Sequence, residues 1–428
     1  MKQRQVIFLL FGIILLCTSC VQQEKGCTDP VALNYNPNAM QDNGECLYVL
    51  PVPSIYEFKR GNQNSVSYLP QIVLNLLIET ICKTIEKTAL PGATPIDIAD
   101  LLEIYQQTDY NNNILSEVAP YSPSYSQFTQ IASSQRLASN VINTYKADSM
   151  LMSWFDTIAT RSQNSVFLGT PEVYTTSSGL NLKEAVRITL YTSVLMANSI
   201  QKVSNISSQS NSAFVYSKNY TPMENSWDSA FGFFGASVFY SLYTDEAWDA
   251  QPYHDYNGDL LIDFTTEYNF GFANLAVYRD LIDDADIDFT GVLFEAWTGG
   301  RTAITNQSDV LRSQFREIIL SEWQRLIAAS VVHHLNGLKS EMLYYGTPEQ
   351  NIEQLNQDWS GLWMYLLSIK YFTNPEINVQ NQLNLLGNSP VYAESGSTEY
   401  ENYLIKLNQI SAAIQQGYSF TDLQMQNW

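Results

Sequence analysis

The segment of this sequence with the clearest potential for chemistry is an acidic loop in its second half. It reads Asp255-Tyr256-Asn257-Gly258-Asp259-Leu260-Leu261-Ile262-Asp263. Oxygen-bearing side chains at the first, third, fifth and ninth positions match the start of an EF-hand-type loop, which places several oxygen ligands on one tight turn. The spacing therefore predicts a structural Ca2+ site. Its ligands would come from Asp255, Asn257, Asp259, Leu261, Asp263 and Glu267.

This loop departs from the EF-hand pattern at two places. Leu260 stands at the sixth position, where the motif has glycine, and the glycine comes two residues earlier, at Gly258. Thr266 stands at the twelfth position, and Glu267 follows one residue after the place of the usual bidentate glutamate. The alternative interpretation is an acidic, Asx-rich turn that joins two helices.

A pair of carboxylates, Glu224 and Asp228, is four residues apart and would share one face of a helix. Paired carboxylates can perform acid–base or hydrolytic chemistry, or bind a cation. The simpler interpretation is that Glu224 complements the dipole of a helix that begins near Pro222. Trp227 and Arg301 complete the ligand candidates, although pairing with an internal acid is the ordinary role of such an arginine.

The histidines and the common catalytic motifs point to no established class of enzyme. The three histidines are His254, His333 and His334, and no Cys or His spacing typical of zinc sites occurs. His334 is in helical register with apolar residues, so we expect it to face the core. The nucleotide-binding, serine-hydrolase and zincin motifs do not occur in the sequence.

Hydrophobic periodicity predicts that helices position these residues. Apolar side chains recur at intervals of three and four through Leu74, Leu77, Ile78, Ile81 and Ile85. The same pattern is present at 180–201, 310–338 and 404–415. Ser308-Asp309 would supply a cap and a first-turn acid for the helix at 310–338.

The predicted fold class is all-α, with one or more helical bundles, because alternating strand patterns are hard to find. The helical part would cover residues 51–428. A polar loop at 204–218 divides it into two candidate halves, 51–205 and 219–428.

Residues 1–19 have the features of a bacterial export signal, with a basic start followed by a short apolar run. The run is too short to span a bilayer, which takes roughly 20 apolar residues. Thr18-Ser19-Cys20 resembles a lipobox, so we predict that Cys20 becomes the lipidated first residue of an outer-membrane lipoprotein in the cell envelope. The alternative is ordinary signal-peptidase cleavage, which would release a soluble secreted protein.

Residues 20–50 form a turn-rich module after this lipid anchor, dominated by Pro, Asn, Asp and Gly. Because export would place the module in an oxidising compartment, we expect a disulfide between Cys27 and Cys46. Cys82 lies in an apolar helical stretch and is expected to be a buried hydrophobic residue. The module is similar to a short GCTDPxAxNYxPxA…DxGxC repeat of secreted and surface Bacteroidetes proteins.

The composition is that of a folded protein with an acidic surface. The chain has 428 residues, 13% of them aromatic, and a formal net charge of −21. An acidic surface of this kind repels phosphate backbones, so nucleic acid is excluded as a partner.

Five stretches spread over residues 55–340 carry a family resemblance. They are Tyr56-Glu57-Phe58-Lys59-Arg60 with Ser65-Val66-Ser67-Tyr68 and Gln71, Gly179-Leu180-Asn181-Leu182-Lys183-Glu184, Tyr220-Thr221-Pro222-Met223-Glu224-Asn225-Ser226-Trp227-Asp228-Ser229-Ala230-Phe231-Gly232-Phe233, Gly300-Arg301-Thr302-Ala303-Ile304, and Glu322-Trp323 with His333-His334-Leu335-Asn336. Together they resemble the DUF4856 family of Bacteroidetes lipoproteins, which is distantly similar to imelysin-like proteins. Family members usually have two histidines where this sequence has Asn225 and Ser226, and an acid where it has Ser229. These replacements argue against a metal or acid–base role for the motif in this chain.

We therefore expect an envelope-anchored binding lipoprotein, rather than an enzyme, with an unidentified ligand. The resemblance implies metal, iron or nutrient acquisition. Expected partners are the membrane, through the lipid anchor, and an outer-membrane transporter or another envelope protein. Two alternatives stay open: a glycan-binding partner of an outer-membrane transporter, and an envelope hydrolase. Clustered exposed aromatic side chains would favour the first, and Glu224 and Asp228 facing each other across a cleft would favour the second.

Overall fold

The computed structural model describes residues 24–106 and 135–428, except positions 31, 33, 47, 48, 283 and 285. The predicted export signal, 1–19, and the predicted lipidation site, Cys20, lie outside the described residues. The chain forms two compact units, Met1–Pro51 and Val52–Trp428.

The described part of the N-terminal unit contains a small sheet and a disulfide. Strands β1 (Lys25–Gly26) and β2 (Gln41–Asp42) pair in parallel, with Lys25 opposite Gln41. Cys27 and Cys46 are bonded, and their Cα atoms are 4.8 Å apart. The predicted disulfide is therefore confirmed.

The larger unit consists mainly of helices. It begins with an antiparallel hairpin of two short strands, β3 (Lys59–Arg60) and β4 (Gln63–Asn64). The α-helices that follow in the described residues are α1 (Leu69–Lys87), α2 (Ile98–Gln106), α3 (Ala147–Ser162), α4 (Leu182–Leu190), α5 (Ala197–Ser204), α6 (Pro222–Phe234), α7 (Asp245–Ala250), α8 (Gly271–Asp280), α9 (Phe289–Thr305), α10 (Asp309–Tyr344), α11 (Ile352–Ser368), α12 (Val379–Leu386), α13 (Thr398–Tyr418) and α14 (Asp422–Asn427). The predicted all-α class is confirmed.

The predicted helix at 180–201 is observed as α4 and α5, which are joined by a π-helical turn at Tyr191–Met196. Asn181 starts α4, because its side-chain oxygen accepts a hydrogen bond from the backbone N–H of Glu184 at 3.1 Å. Turns of this kind widen a helix locally and are frequent at functional sites.

Helix α10 has 36 residues and packs against both α9 and α11. It extends beyond the predicted end at residue 338 to Tyr344. Ser308 occupies the N-cap position, but its side chain does not bond to the first turn, so that detail of the prediction is wrong. The first-turn acid Asp309 instead pairs with Arg312, with 2.5 Å between Oδ1 and Nη1.

The core of the larger unit is rich in aromatic side chains. Trp227, Trp297, Trp323 and Trp359 are almost completely buried. Helices from both candidate halves share this core, since Asn75 on α1 donates a hydrogen bond to the carbonyl of Gly232 on α6 at 3.2 Å. Within the described ranges, none of the helices has the length and apolar character needed to cross a membrane.

Candidate functional site

The N-terminus of α6 fixes the position of Glu224. Thr221 and Glu224 form a capping box: the Thr221 hydroxyl accepts the Glu224 N–H at 3.2 Å, and Glu224 Oε2 accepts the Thr221 N–H at 2.9 Å. The interpretation of Glu224 as a first-turn acid is therefore confirmed. Asp228 follows one turn later on the same face.

Arg301 on α9 joins the two acids. Its Nη1 lies 2.7 Å from Glu224 Oε1, and its Nε lies 2.9 Å from Asp228 Oδ1. The side chains of all three residues have no exposed surface. The structure thus brings three predicted site residues together, as a buried ion-pair network rather than as the walls of a cleft.

Residues near the start of the larger unit complete this network. Arg60 Nη2 also lies 2.7 Å from Glu224 Oε1, and the Tyr56 hydroxyl donates to Asp228 Oδ1 at 2.9 Å. We call Tyr56, Arg60, Glu224, Asp228 and Arg301 the Arg301 cluster. It unites the first, third and fourth stretches of the family resemblance and attaches the β3–β4 hairpin to α6 and α9.

Burial tends to raise the pKa of each of the two acids, and the positive charge of Arg301 tends to lower it. Burial favours the protonated form of Glu224, but Arg301, the Thr221 N–H and Arg60 outweigh it and lower the pKa of Glu224 below its usual value. For Asp228, burial prevails over Arg301 and raises the pKa to about 6. Asp228 Oδ2 has no hydrogen-bond partner among the described residues, which is consistent with this difference.

Trp227 is placed in the core and not on a ligand-accessible surface. Its Nε1 donates to the carbonyl of Trp297 at 2.9 Å, and its relative exposure is 0%. Gly300 lets the indole approach α9, because a Cβ at that position would lie 2.0 Å from Trp227 Cζ2. Trp227 therefore fixes the distance between α6 and α9.

The 255–263 loop is closed by its own side chains. Asp255 Oδ1 accepts the N–H groups of Gly258 and Asp259 at 2.7 and 3.2 Å, and Asp255 Oδ2 accepts that of Leu260 at 2.9 Å. Leu260 has a φ of +67°, so the backbone adopts the left-handed conformation at the sixth position even without glycine there.

Glu267 supports this loop from inside the protein. It is 1% exposed, and its Oε1 accepts the N–H groups of Tyr256 and Asn257 at 3.0 and 3.2 Å. Its Oε2 accepts the N–H of Asp263 at 3.0 Å. In the described part of the chain, no three His, Cys, Asp or Glu residues are grouped as a metal ion would require. The Ca2+ site stays a prediction.

A second buried polar cluster lies between α4, α10 and α11. His334 Nδ1 lies 3.0 Å from Asp358 Oδ1, and His334 Nε2 lies 3.7 Å from Glu184 Oε1. Glu184 in turn pairs with Arg187, with 3.1 Å between Oε2 and Nε. We call Glu184, Arg187, His334 and Asp358 the His334 cluster. It unites the second and fifth stretches of the resemblance.

The charges of the His334 cluster are partly balanced within the cluster. Burial would raise the pKa of Glu184, but Arg187 and His334 outweigh it and lower that pKa. Glu184, His334 and Asp358 are at most 8% exposed in their side chains, whereas the Arg187 side chain is 35% exposed. Arg187 therefore connects the cluster to solvent.

His334 lies in the core, as its helical register predicts, but the sequence did not indicate Glu184, Arg187 and Asp358 as its neighbours. A Cβ at Gly361 would lie 2.5 Å from the His334 ring, and one at Gly337 would lie 2.5 Å from Asp358 Oδ2. Gly337, a glycine inside the predicted helix at 310–338 and close to polar residues, was the available signal for this packing.

A family model described as "Domain of unknown function (DUF4856)" matches residues 53–421. No curated protein and no solved structure matches the chain. The match covers most of the chain and all five stretches that carry the resemblance. The chain therefore belongs to the DUF4856 family.

Proposed function

We propose that this chain is an envelope-anchored binding protein that acts in metal or nutrient acquisition. The observation that supports binding is the His334 cluster, in which charged side chains from three helices meet inside the protein. Arg187 is half-buried at its edge, and the neighbouring His333 is exposed. Small-molecule sites typically place a few convergent polar side chains among apolar ones.

The alternative of an envelope hydrolase receives less support from the geometry. Glu224 and Asp228 would be its acid and base, yet both side chains are fully buried and bonded to Arg301. A general acid or base must come within hydrogen-bond reach of its substrate. The Arg301 cluster is therefore better explained as a structural element.

The glycan-binding alternative depends on exposed aromatic side chains. Seven tryptophans, Trp154, Trp227, Trp248, Trp297, Trp323, Trp359 and Trp428, are at most 8% exposed. Tyr216 and Phe214 have the most exposed rings of the described part of the larger unit, at 94% and 56%, but they share one short loop. The other exposed tyrosines of this unit, Tyr256, Tyr278, Tyr344 and Tyr392, are 38–51% exposed and are distant from one another in the sequence. Two rings on a loop give little stacking surface for a sugar chain, so we do not favour this function.

The envelope location is tested by replacing the predicted lipidation site. We expect Cys20→Ala to move the protein from the membrane fraction to the soluble fraction, because a lipid anchor contributes about 0.8 kcal/mol per buried CH2 group. Cys82→Ala is the matched control and should stay with the membrane. Fractionation followed by immunoblotting measures both. A Cys20→Ala protein that still sediments with membranes would refute the anchor, and with it the proposed partnership with an outer-membrane transporter.

We further propose that Ca2+ binds the 255–263 loop and stabilises the fold. Its support is the ligand spacing and the left-handed backbone at Leu260. Asp255, Asp259 and Asp263 place three carboxylates on one short loop, and a divalent cation would relieve their repulsion. The ligand set would be completed by Asn257, the Leu261 carbonyl and Glu267.

Calcium should therefore raise the melting temperature of the protein. Extracellular sites of this type bind with Kd of about 10⁻⁴–10⁻³ M, so about 5 mM Ca2+ should add roughly 1–2 kcal/mol of stability. Asp259→Ala should abolish the increase, whereas Asp249→Ala, a change of an exposed acid outside the loop, should keep it. Differential scanning calorimetry with Ca2+ and with Mg2+ measures the effect. Equal shifts in wild type and Asp259→Ala would contradict the site.

A further inference from the structure

An open pocket lies between the end of α5 and the start of α6. Its volume is about 390 Å3, within the range of roughly 300–1,000 Å3 that is usual for small-molecule sites. It shares no lining residue with the Arg301 cluster, the His334 cluster or the 255–263 loop. Eight residues line it, and six of them have side chains that form hydrogen bonds: Gln201, Lys202, Asn205, Gln209, Asn225 and Ser226.

The walls of the pocket are held in place by hydrogen bonds outside its lining. The Ser199 hydroxyl on α5 donates to the carbonyl of Ala230 on α6 at 2.8 Å, which fixes the two helices against each other. In the loop that joins them, the Asn211 side chain donates to the carbonyl of Ile304 at 2.7 Å. The same side chain accepts a hydrogen bond from the Thr221 hydroxyl at 2.7 Å. The pocket is therefore preformed, which lowers the entropic cost of binding a ligand.

Ser226 is a buried residue of this lining with an unpaired hydroxyl. It is 8% exposed, and its hydroxyl makes no hydrogen bond within the described residues. Serines in helices often donate to the carbonyl four residues earlier, as Ser229 does to Asn225 at 2.7 Å. Because buried polar groups are normally paired, the Ser226 hydroxyl is available to a partner in the pocket.

Lys202 is the charged residue of the pocket, and no acid is found with it among the described lining residues. Its ammonium group forms no ion pair or hydrogen bond in the described part of the chain. Burial lowers the pKa of Lys202, and no charged neighbour contributes to the change. Lys202 also complements the dipole of α5 from its last turn, but that role leaves its N–H donors free. A half-buried ammonium group without a counterion is suited to bind an anion.

The composition of the lining determines which anion fits. One ammonium group matches one negative charge, whereas the net charge of −21 on the chain opposes ligands with more negative charge, such as phosphate monoesters. The four amide side chains and the Ser226 hydroxyl both donate and accept hydrogen bonds, as the hydroxyl groups of a ligand require. The lining contains no aromatic ring among its described residues, so it offers no stacking surface to an apolar ligand.

We infer that this pocket binds a small monocarboxylate that carries several hydroxyl groups, such as a sugar acid. Its carboxylate pairs with the Lys202 ammonium group, and its hydroxyl groups bond to Ser226 and to the amides of the lining. A single sugar acid needs no aromatic surface of the kind that a sugar chain requires. The inference goes beyond the proposed function, because neither the His334 cluster nor the lipid anchor contributes to this pocket.

The test measures the binding of small probes to the full chain by calorimetry, in buffer without Ca2+. D-gluconate and D-glucuronate carry both the carboxylate and the hydroxyl groups. D-glucitol and D-glucose are their uncharged counterparts, acetate has the charge without the hydroxyl groups, and inorganic phosphate is the competing anion. We expect a sugar acid to bind at least about tenfold more tightly than every other probe, because each of the others lacks one part of the interaction or carries excess charge.

Two variants and a matched control assign the binding to the pocket. Lys202→Met should weaken sugar-acid binding at least about tenfold and remove the preference over the uncharged counterpart, because a charge-assisted hydrogen bond is lost. Ser226→Ala should weaken it about two- to tenfold through the loss of a neutral hydrogen bond. Lys218→Met removes the same charge from an exposed position of the same loop, outside the lining, and should bind like the wild type.

Three results would overturn the inference: no binding of either sugar acid by the wild type, equal binding by Lys202→Met, or another probe that binds as tightly as the sugar acids. If Lys202→Met does not fold, acylation of the lysines of the wild type, followed by mass spectrometry, replaces it. A bound sugar acid should slow the acylation of Lys202 and leave that of Lys218 unchanged, and equal rates with and without the sugar acid would refute the site. Membrane fractionation of Cys20→Ala does not depend on these results, so failure of this pocket is distinguishable from failure of the envelope-anchored function.

Discussion

Replacing Arg301 with methionine should lower the free energy of unfolding by about 3–5 kcal/mol, the usual cost of removing one partner from a buried ion pair. The methionine side chain preserves much of the packing volume. Glu224 keeps Arg60 as a partner, but Asp228 keeps only the Tyr56 hydroxyl. Urea unfolding followed by tryptophan fluorescence measures the change, because Trp227 and Trp297 lie next to the cluster.

Two further variants separate lost charge pairing from lost packing. Arg316→Met removes a surface pair with Glu317 and should change stability by less than about 1 kcal/mol. Adding Asp228→Asn to Arg301→Met should restore part of the stability, because Glu224 still pairs with Arg60 and the unpaired carboxylate of Asp228 is then removed from the core. If this double variant is as unstable as Arg301→Met, uncompensated charge is not the reason for the loss.

Hydrophobic periodicity identified the helices because the interactions that stabilise them are local. The residues of the predicted pattern at 74–85 lie within α1, and those at 404–415 lie within α13. The predicted end of α10 was six residues too early: Met342, which is 1% exposed, continues the apolar spacing of Leu335 and Leu338, but the other residues of the last turns are half-buried or exposed. Local pattern therefore predicts where a helix exists better than where it ends.

The Arg301 cluster was predictable only in part. The spacing of Glu224 and Asp228 correctly places both acids on one helical face, and an internal acid was the expected partner of Arg301. The contributions of Tyr56 and Arg60 were not foreseen, because they come from 172 and 164 residues away from their partners. Contacts at such separations depend on how helices pack, and no local pattern encodes them.

Arg279 illustrates the same limit more strongly. Short helices often carry a basic residue in their last turn, where it complements the helix dipole at the surface. Nothing in the sequence of α8 distinguishes such an arginine from one that is 8% exposed. Only the packing of α8 against α10 buries this side chain, and its Nε has no hydrogen-bond partner among the described residues.

The contribution of Asp280 to the stability of the protein should fall as the pH rises from about 4 to 7. Asp280 ends α8, and its carboxyl oxygens accept the N–H groups of Phe289 and Thr290 at 2.8 and 2.7 Å, at the start of α9. Burial raises the pKa of Asp280 to about 7, against the opposing effect of these two donors and with a further increase from Asp245. An ordinary unfolded aspartate has a pKa of about 3.9.

The direction of this pH dependence follows from the number of protons that the folded and unfolded states bind. Between these two pKa values the folded protein holds a proton that the unfolded chain has lost, so raising the pH favours unfolding. Below about pH 4 Asp280 is protonated in both states, and its full contribution to the free energy of unfolding is present. Above about pH 7 this contribution is lost. The difference between the two pKa values corresponds to roughly 4 kcal/mol in the free energy of unfolding.

Asp280→Asn should remove this dependence, because an amide does not titrate. The amide NH2 cannot accept the hydrogen bond from the Thr290 N–H. This loss lowers stability equally at every pH, so the pH dependence of the free energy of unfolding is unaffected. Urea unfolding at intervals from pH 4 to 8 gives the free energy of unfolding of each protein. The value for wild type minus the value for Asp280→Asn should decrease by about 4 kcal/mol across that range. Asp249→Asn, at an exposed position of α7, should follow the wild-type curve. Parallel curves for wild type and Asp280→Asn would show that the two backbone donors of α9 outweigh burial and keep the carboxylate ionised.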